Sequence, residues 1–238
     1  MFRHKGTYRT KKQNLQLAIY LSFVAGAINM IGFYHLGVLT THVTGHFVFW
    51  GEAIVEGNYS YMIVTMLFLF SFLIGSFLAN TLIEIGHNLW NKYRTILPVL
   101  IEISLLVTVF LSNWFNIGMY TQTCLIIFAM GIQNALVTQI SNAIVRTTHL
   151  TGLFTDLGIE LSQMFFYRSK DERLKLQESI QLRLFIILFF ASGGLIGAIF
   201  YTKWNLLSLL LPIGVLSIGV WHDGLRYIFL KLRKKRII

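Results

Sequence analysis

The 238-residue chain is short of charge: 13% of its residues are Asp, Glu, Lys or Arg, where a soluble globular domain carries about 25%. It has one cysteine and two prolines. Such counts exclude a disulfide-stapled scaffold, a collagen-like chain and a proline-rich repeat. With 55% hydrophobic residues and a mean hydropathy of +0.64, the shortage of charge also excludes a soluble enzyme, a disordered tail and a coiled coil. No phosphate-binding glycine loop, Cys-x-x-Cys or His-Glu-x-x-His pattern occurs, so no enzyme activity, cofactor or metal is expected.

What is present is a set of long uncharged runs. No charged residue lies between Lys12 and Glu52, between Glu56 and Glu84, or between Glu102 and Arg146. Two more gaps, Arg183 to Lys203 and Lys203 to Asp223, hold 19 residues each. A helix crosses the hydrocarbon core with about 20 apolar residues, so each of these two gaps fits one span. The 43-residue gap from Glu102 to Arg146 fits two, joined by Asn113-Trp114-Phe115-Asn116, with Trp114 and Tyr120 at headgroup level. Six spans are expected at 15–38, 61–85, 95–113, 120–142, 182–201 and 205–222. Two shorter apolar pieces, 43–56 and 149–166, are marginal as full spans. The only cysteine, Cys124, reads as core filler.

Basic residues set the orientation. With six spans and the N-terminus inside, 19 of the 20 Lys and Arg residues are cytoplasmic, and only Lys203 is outside. Eight full spans would put Lys92, Arg94 and Arg146 outside as well. The expected layout is a basic N-terminus (1–14), two membrane units (15–113 and 114–222) and a basic C-terminus (223–238). The tail Lys231-Leu232-Arg233-Lys234-Lys235-Arg236 is expected to meet anionic lipid headgroups, not nucleic acid.

The chain also repeats itself. Thr41-His42-Val43-Thr44-Gly45-His46-Phe47 returns as Thr148-His149-Leu150-Thr151-Gly152-Leu153-Phe154, an offset of 107, and Gly51 returns as Gly158. Upstream, Gly26-Ala27-Ile28-Asn29 is echoed by Gly131-Ile132-Gln133-Asn134, an offset of 105. Three spans per copy turn the second copy upside down. The fold class expected is therefore an all-α membrane protein, an inverted 3+3 repeat with two short broken or re-entrant helices at 43–56 and 149–166. Secondary transporters are often built this way, with the site at the repeat interface. Thr-x-x-Thr-Gly suits a helix break, since threonine caps a helix and glycine relaxes the backbone. A second reading assigns Gly45, Gly51, Gly152, Gly158 and the Gly193-x-x-x-Gly197 pair to close helix packing.

These residues resemble the YoaK family of bacterial membrane proteins. The later block carries the likeness: Met130-Gly131-Ile132-Gln133-Asn134-Ala135, then Arg146-Thr147-Thr148-His149-Leu150-Thr151-Gly152, then Thr155-Asp156-Leu157-Gly158. The early block departs from the family pattern twice, with Asn29 where an aspartate is usual and His46 where an asparagine is usual. The resemblance implies a multi-span protein of the bacterial cytoplasmic membrane and supplies no substrate.

Ionisable groups at membrane depth are costly and default to function. Candidates are Glu52, Asp156 and Glu160, with His42, His46 and His149. Asp156 and Glu160 share a helix face and could take a cation or a proton; alternatively they pair with Arg146 or Arg168. His42 and His149 suit proton coupling, or sit buried and satisfied by carbonyls. Glu52 could equally lie solvated at the outer interface. Asn29, Gln133 and Asn134 could line a cavity or lock helices. Glu84 and Glu102 read as interfacial partners of Lys92 and Arg94. The substrate site expected comprises Asn29, Thr41, His42, Thr44, Gly45, Gln133, Asn134, Thr148, His149, Thr151, Gly152, Asp156 and Glu160. The function expected is transport of a small solute or ion; the alternative is a non-transporting scaffold or sensor. A homodimer is a further expectation.

Overall fold

The computed structural model describes residues 9–89, 95–112, 114–167 and 169–235, with side chains described except at 87–89 and 223–235. Among them are eight α-helices and no strand: α1 (Lys11–Leu36), α2 (Val43–Val55), α3 (Tyr59–Leu89), α4 (Ile96–Phe110), α5 (Met119–Ser141), α6 (Leu150–Phe166), α7 (Lys170–Trp204) and α8 (Leu210–Lys235). A 3₁₀ turn, Asn205–Leu209, joins α7 to α8. The marginal pieces are the short helices α2 and α6, within a residue of the expected bounds. The expected span 182–201 is the second half of α7, whose charged first half begins at Lys170.

Four stretches are long and apolar enough to cross a bilayer: Lys11–Leu36, Tyr59–Gly86, Met119–Ser141, and Lys170–His222, the last running through α7, the 3₁₀ turn and the start of α8. Ile96–Phe110 is apolar but only 15 residues long. The chain is an all-helical membrane protein. Its outward faces agree, since Ile63, Leu67, Phe70, Leu73 and Phe77 of α3 and Leu188 and Leu195 of α7 are exposed. Apolar side chains in contact with lipid lose nothing by facing outward.

The most buried helices are α1 and α5, and they run antiparallel. Gln133, past the middle of α5, donates from Nε2 to the Leu21 carbonyl in α1 at 2.8 Å. At the other end, His35 of α1 lies 2.7 Å from Gln122 Oε1, near the start of α5. Against α1 lies α7, parallel to it: Lys11 meets Glu178 at one end, and His35 meets the Tyr201 hydroxyl at the other (3.0 Å). Beside α5 lies α3.

Glycine sets the closeness of these two crossings. A Cβ on Gly26 would lie 2.0 Å from the Phe190 carbonyl oxygen, and one on Gly193 would lie 2.1 Å from that of Phe23. The α3–α5 crossing repeats the device, with Gly131 against Phe72 (2.3 Å) and Gly75 against Phe128 (2.2 Å). The packing reading therefore holds for Gly193 and for Gly197, whose Cβ would meet Ala27 at 2.8 Å. It does not hold within the chain for Gly51 or Gly158, which have open space beside them.

Helix ends follow local chemistry. Thr10 accepts from the Gln13 N–H while Gln13 Oε1 accepts from the Thr10 N–H, a capping box that starts α1. Gly37, at φ 68°, ends it with its N–H bonded to the Phe33 carbonyl. Cys124 packs against the apolar core, as expected.

Glu102 is not interfacial: it is fully buried in α4, with neither oxygen bonded. Glu84 is exposed on α3. The residues assigned to them as partners, Lys92 and Arg94, lie outside the described residues, as do Arg3, Lys5, Asn113 and Arg168. Side chains of the basic tail 231–236 also lie outside them.

Candidate functional site

After α1 ends at Leu36, the chain turns back along it. Asn29, seven residues from that end and so about 10 Å inward, accepts two hydrogen bonds on Oδ1. They come from the Thr41 N–H (3.2 Å) and the Thr41 hydroxyl (3.0 Å). His42 then caps α2. The second copy is built alike. Asn142 (φ 55°) and Ala143 (φ 61°), both left-handed, reverse the chain after α5. The Thr148 hydroxyl donates to Asn134 Oδ1 at 3.0 Å, and His149 caps α6. Asn134 is again seven residues from its helix end. Neither α2 nor α6 has a side-chain cap on its first N–H groups.

The glycines of the motif make room for the histidines. The Nδ1 atoms of His42 and His149 lie 2.9 Å and 2.6 Å from where a Cβ on Gly45 and Gly152 would sit. Any larger residue three positions after the histidine would push its imidazole aside. Both histidines are exposed, not buried against carbonyls as one sequence reading allowed.

The two turns face one cavity of about 790 Å³. Asn29, Thr41, His42 and Thr44 line it from the first half; Asn134, Thr148, His149 and Thr151 line it from the second. Eight of the thirteen expected site residues are thus brought together. Arg146 completes the wall, exposed and with no partner among the described residues. Among the described residues, no aspartate or glutamate lines this cavity.

The other five residues fall elsewhere. Gly45 and Gly152 sit under the imidazoles. Gln133 is buried between α5 and α1 and ties the two central helices. Asp156 and Glu160 are clamped by Arg183 of α7. The Arg183 guanidinium lies 3.0 Å from Asp156 Oδ2 and donates to both Glu160 oxygens at 2.8 and 2.9 Å, and Ser179 donates to Glu160 at 2.6 Å. The acidic pair finds its cation on α7, at Arg183, and not at the expected Arg146; Arg168 lies outside the described residues. A smaller cavity of about 450 Å³ has Asp156 and Arg183 in its wall, and it shares Arg146 and His149 with the larger one. Glu52 is exposed near the end of α2, and His46 is buried with its ring edge-on to Phe68.

The sequence assigns Arg146 to orientation or to pairing with Asp156 and Glu160, and not to the site. The missed signal was its isolation, as the one charged residue between Glu102 and Asp156. Phe72 and Phe190 also line the cavity, and nothing in an apolar run marks them out.

Comparison with known proteins decides the family. Residues 17–221 match a family described as "Protein of unknown function (DUF1275)". The chain belongs to the DUF1275 family. It is also 27% identical, over 182 residues, to the UPF0700 transmembrane protein YoaK of Bacillus subtilis (strain 168), covering 75% of this chain and 80% of that protein. The resemblance read from the motifs is borne out. No solved structure matches the chain. Both turns and every residue lining the larger cavity of this DUF1275 protein fall inside the matched stretch, while the basic residues at either end fall outside it.

Proposed function

We propose that this DUF1275 protein carries a small solute or ion across the bacterial cytoplasmic membrane, through a site between two inverted repeats. The observation that carries the reading is the 790 Å³ cavity lined equally by the two Thr-His-x-Thr-Gly turns. Its volume is in the range of small-molecule sites, about 300–1,000 Å³. In the proposed topology α1, α3, α4, α5, α7 and α8 cross the bilayer, with both termini cytoplasmic and near anionic headgroups. Helices α2 and α6 are half-spans that start at mid-depth.

Several features support the inversion. Helices α1 and α5 carry equivalent motifs yet run antiparallel. The crossing of Gly26 and Gly193 with Phe190 and Phe23 is matched, at offsets of 105 and 118, by that of Gly131 and Gly75 with Phe72 and Phe128. Irregular backbone at membrane depth, here 37–42 and 142–149, is tolerated where protein or a watery cavity covers it.

The test is uptake into vesicles of phosphatidylethanolamine and phosphatidylglycerol holding the purified full chain. Uptake of at least one solute from a panel of organic acids, amino acids, sugars and inorganic ions should exceed that of empty vesicles and saturate. Thr44→Phe, which fills the cavity, should abolish it. Uptake equal to empty vesicles across the panel would favour the scaffold reading.

A further inference from the structure

We infer that the ligand of this cavity is a small carboxylate or oxoanion, an inference that rests on the transport reading of the same site. The decisive residue is Asn29, which is 9% exposed and lines the cavity. Its amide oxygen takes both the N–H and the hydroxyl of Thr41. A backbone N–H can only donate, so the oxygen must be the atom facing Thr41. The Nδ2 group then projects from the other branch of the amide, and its two hydrogens reach no acceptor among the described residues. That nitrogen is not sealed in the protein, and the open side of Asn29 is the cavity, so its hydrogens are left for whatever enters there. Asn134 is bonded to the Thr148 hydroxyl alone, and the other branch of its amide has no partner among the described residues.

The rest of the wall has the same bias. Arg146 offers a guanidinium that no carboxylate among the described residues neutralises, and it cannot lose its charge at physiological pH. Val43 and Thr44 of α2 and Leu150 and Thr151 of α6 bring two uncapped helix starts to the cavity, each with N–H groups left over from the first turn. The hydroxyls of Thr44 and Thr151 make no hydrogen bond among the described residues and can adapt to either role. No acidic residue among the described ones lines the cavity against these donors. The two carboxylates that a cation would need, Asp156 and Glu160, are held by Arg183. Donors gathered around a guanidinium that has no carboxylate partner among the described residues select a ligand made of acceptors with negative charge.

The experiment follows the thermal unfolding midpoint of the purified full chain in a neutral detergent at constant ionic strength. The anionic probes are acetate, succinate, citrate, phosphate and sulfate. Acetamide and succinamide are the uncharged counterparts, and choline and putrescine are the cations. At least one anion should raise the midpoint saturably, while its amide and the cations do not. Arg146→Gln and Asn29→Asp, which exchanges donors for a carboxylate in nearly the same volume, should each weaken the apparent affinity about tenfold or more, the worth of one charge-assisted hydrogen bond. Gly158→Ala, away from the cavity wall, should leave the response unchanged.

If Asn29→Asp fails to fold, Arg146→Gln alone gives the answer, since that side chain is exposed and bonded to nothing among the described residues. The inference is overturned if no anion stabilises, if amides or cations stabilise and anions do not, or if the Arg146 variant keeps the wild-type anion response. Saturable anion binding without flux in vesicles would remove the transport reading and leave the anion site. Flux of a cation or neutral solute alone would do the reverse.

Discussion

Two glycines of the same chain, Gly26 and Gly158, show how one residue type does unlike things. At Gly26 a methyl group would overlap the Phe190 carbonyl, a backbone atom that cannot step aside without moving α7. At Gly158 nothing lies within 4 Å. Gly26→Ala should therefore cost about 1–3 kcal/mol, as overpacked sites do. Gly158→Ala should be neutral or slightly stabilising, since alanine is the better helix former. Unfolding midpoints of the two variants in detergent give the check; equal shifts would mean that the α1–α7 crossing is looser than described. The histidine–glycine pairs follow the same logic, with the glycine leaving space for an imidazole folded back over it.

At the scale of elements, α6 is the instructive one. It buries little of itself (Leu153 and Leu157 are its buried residues), so apolar packing alone holds it weakly against the rest of the chain. Its carboxylates supply the missing tie: Glu160 reaches Ser179 and Arg183, and Asp156 reaches Arg183 from one turn earlier. The side chain of Glu160 is 12% exposed and that of Asp156 is 51% exposed, so solvent screens the second contact more. Glu160→Gln should lower stability by about 1–3 kcal/mol and Asp156→Asn by less. Unfolding midpoints of the two single variants would show the order. A larger effect for Asp156 would point to a role beyond clamping α6 to α7. The first repeat has no such clamp, because Phe49 and Ala53 stand at the corresponding positions.

For the whole molecule, the proposed topology makes a prediction about sides of the membrane. In a background where Cys124 is replaced by Ser, single cysteines at exposed positions 58 and 115 should react with a membrane-impermeant maleimide added outside intact cells. A cysteine at 172, on the exposed start of α7, should react only after the membrane is opened. Labelling of 58 and 172 from the same side would overturn the six-span arrangement. It would also dissolve the equivalence of the two turns, because the cavity would no longer be framed by oppositely oriented halves.

The sequence by itself determined where apolar helices lie, because the length of an uncharged run is a local quantity, but not all their ends: α7 starts at Lys170 and not at 182, and α8 at Leu210 and not at 205. It also determined the two Thr-His-x-Thr-Gly turns, since identical spacing in two places leaves a mark that needs no coordinates. Only the tertiary structure decided which residues share a wall. Gln133 lies next to Asn134 in sequence yet faces α1 and not the cavity, because neighbouring residues point about 100° apart around a helix. Asp156 and Glu160 were read as the charge of the site until Arg183, 23 residues beyond Glu160, proved to hold them both. Glu102 looked interfacial from its basic neighbours in the chain, and packing buried it. Arg146 looked like an orientation signal, and folding set it between the halves. In each case the deciding contact is long-range, and side-chain direction and helix packing set it.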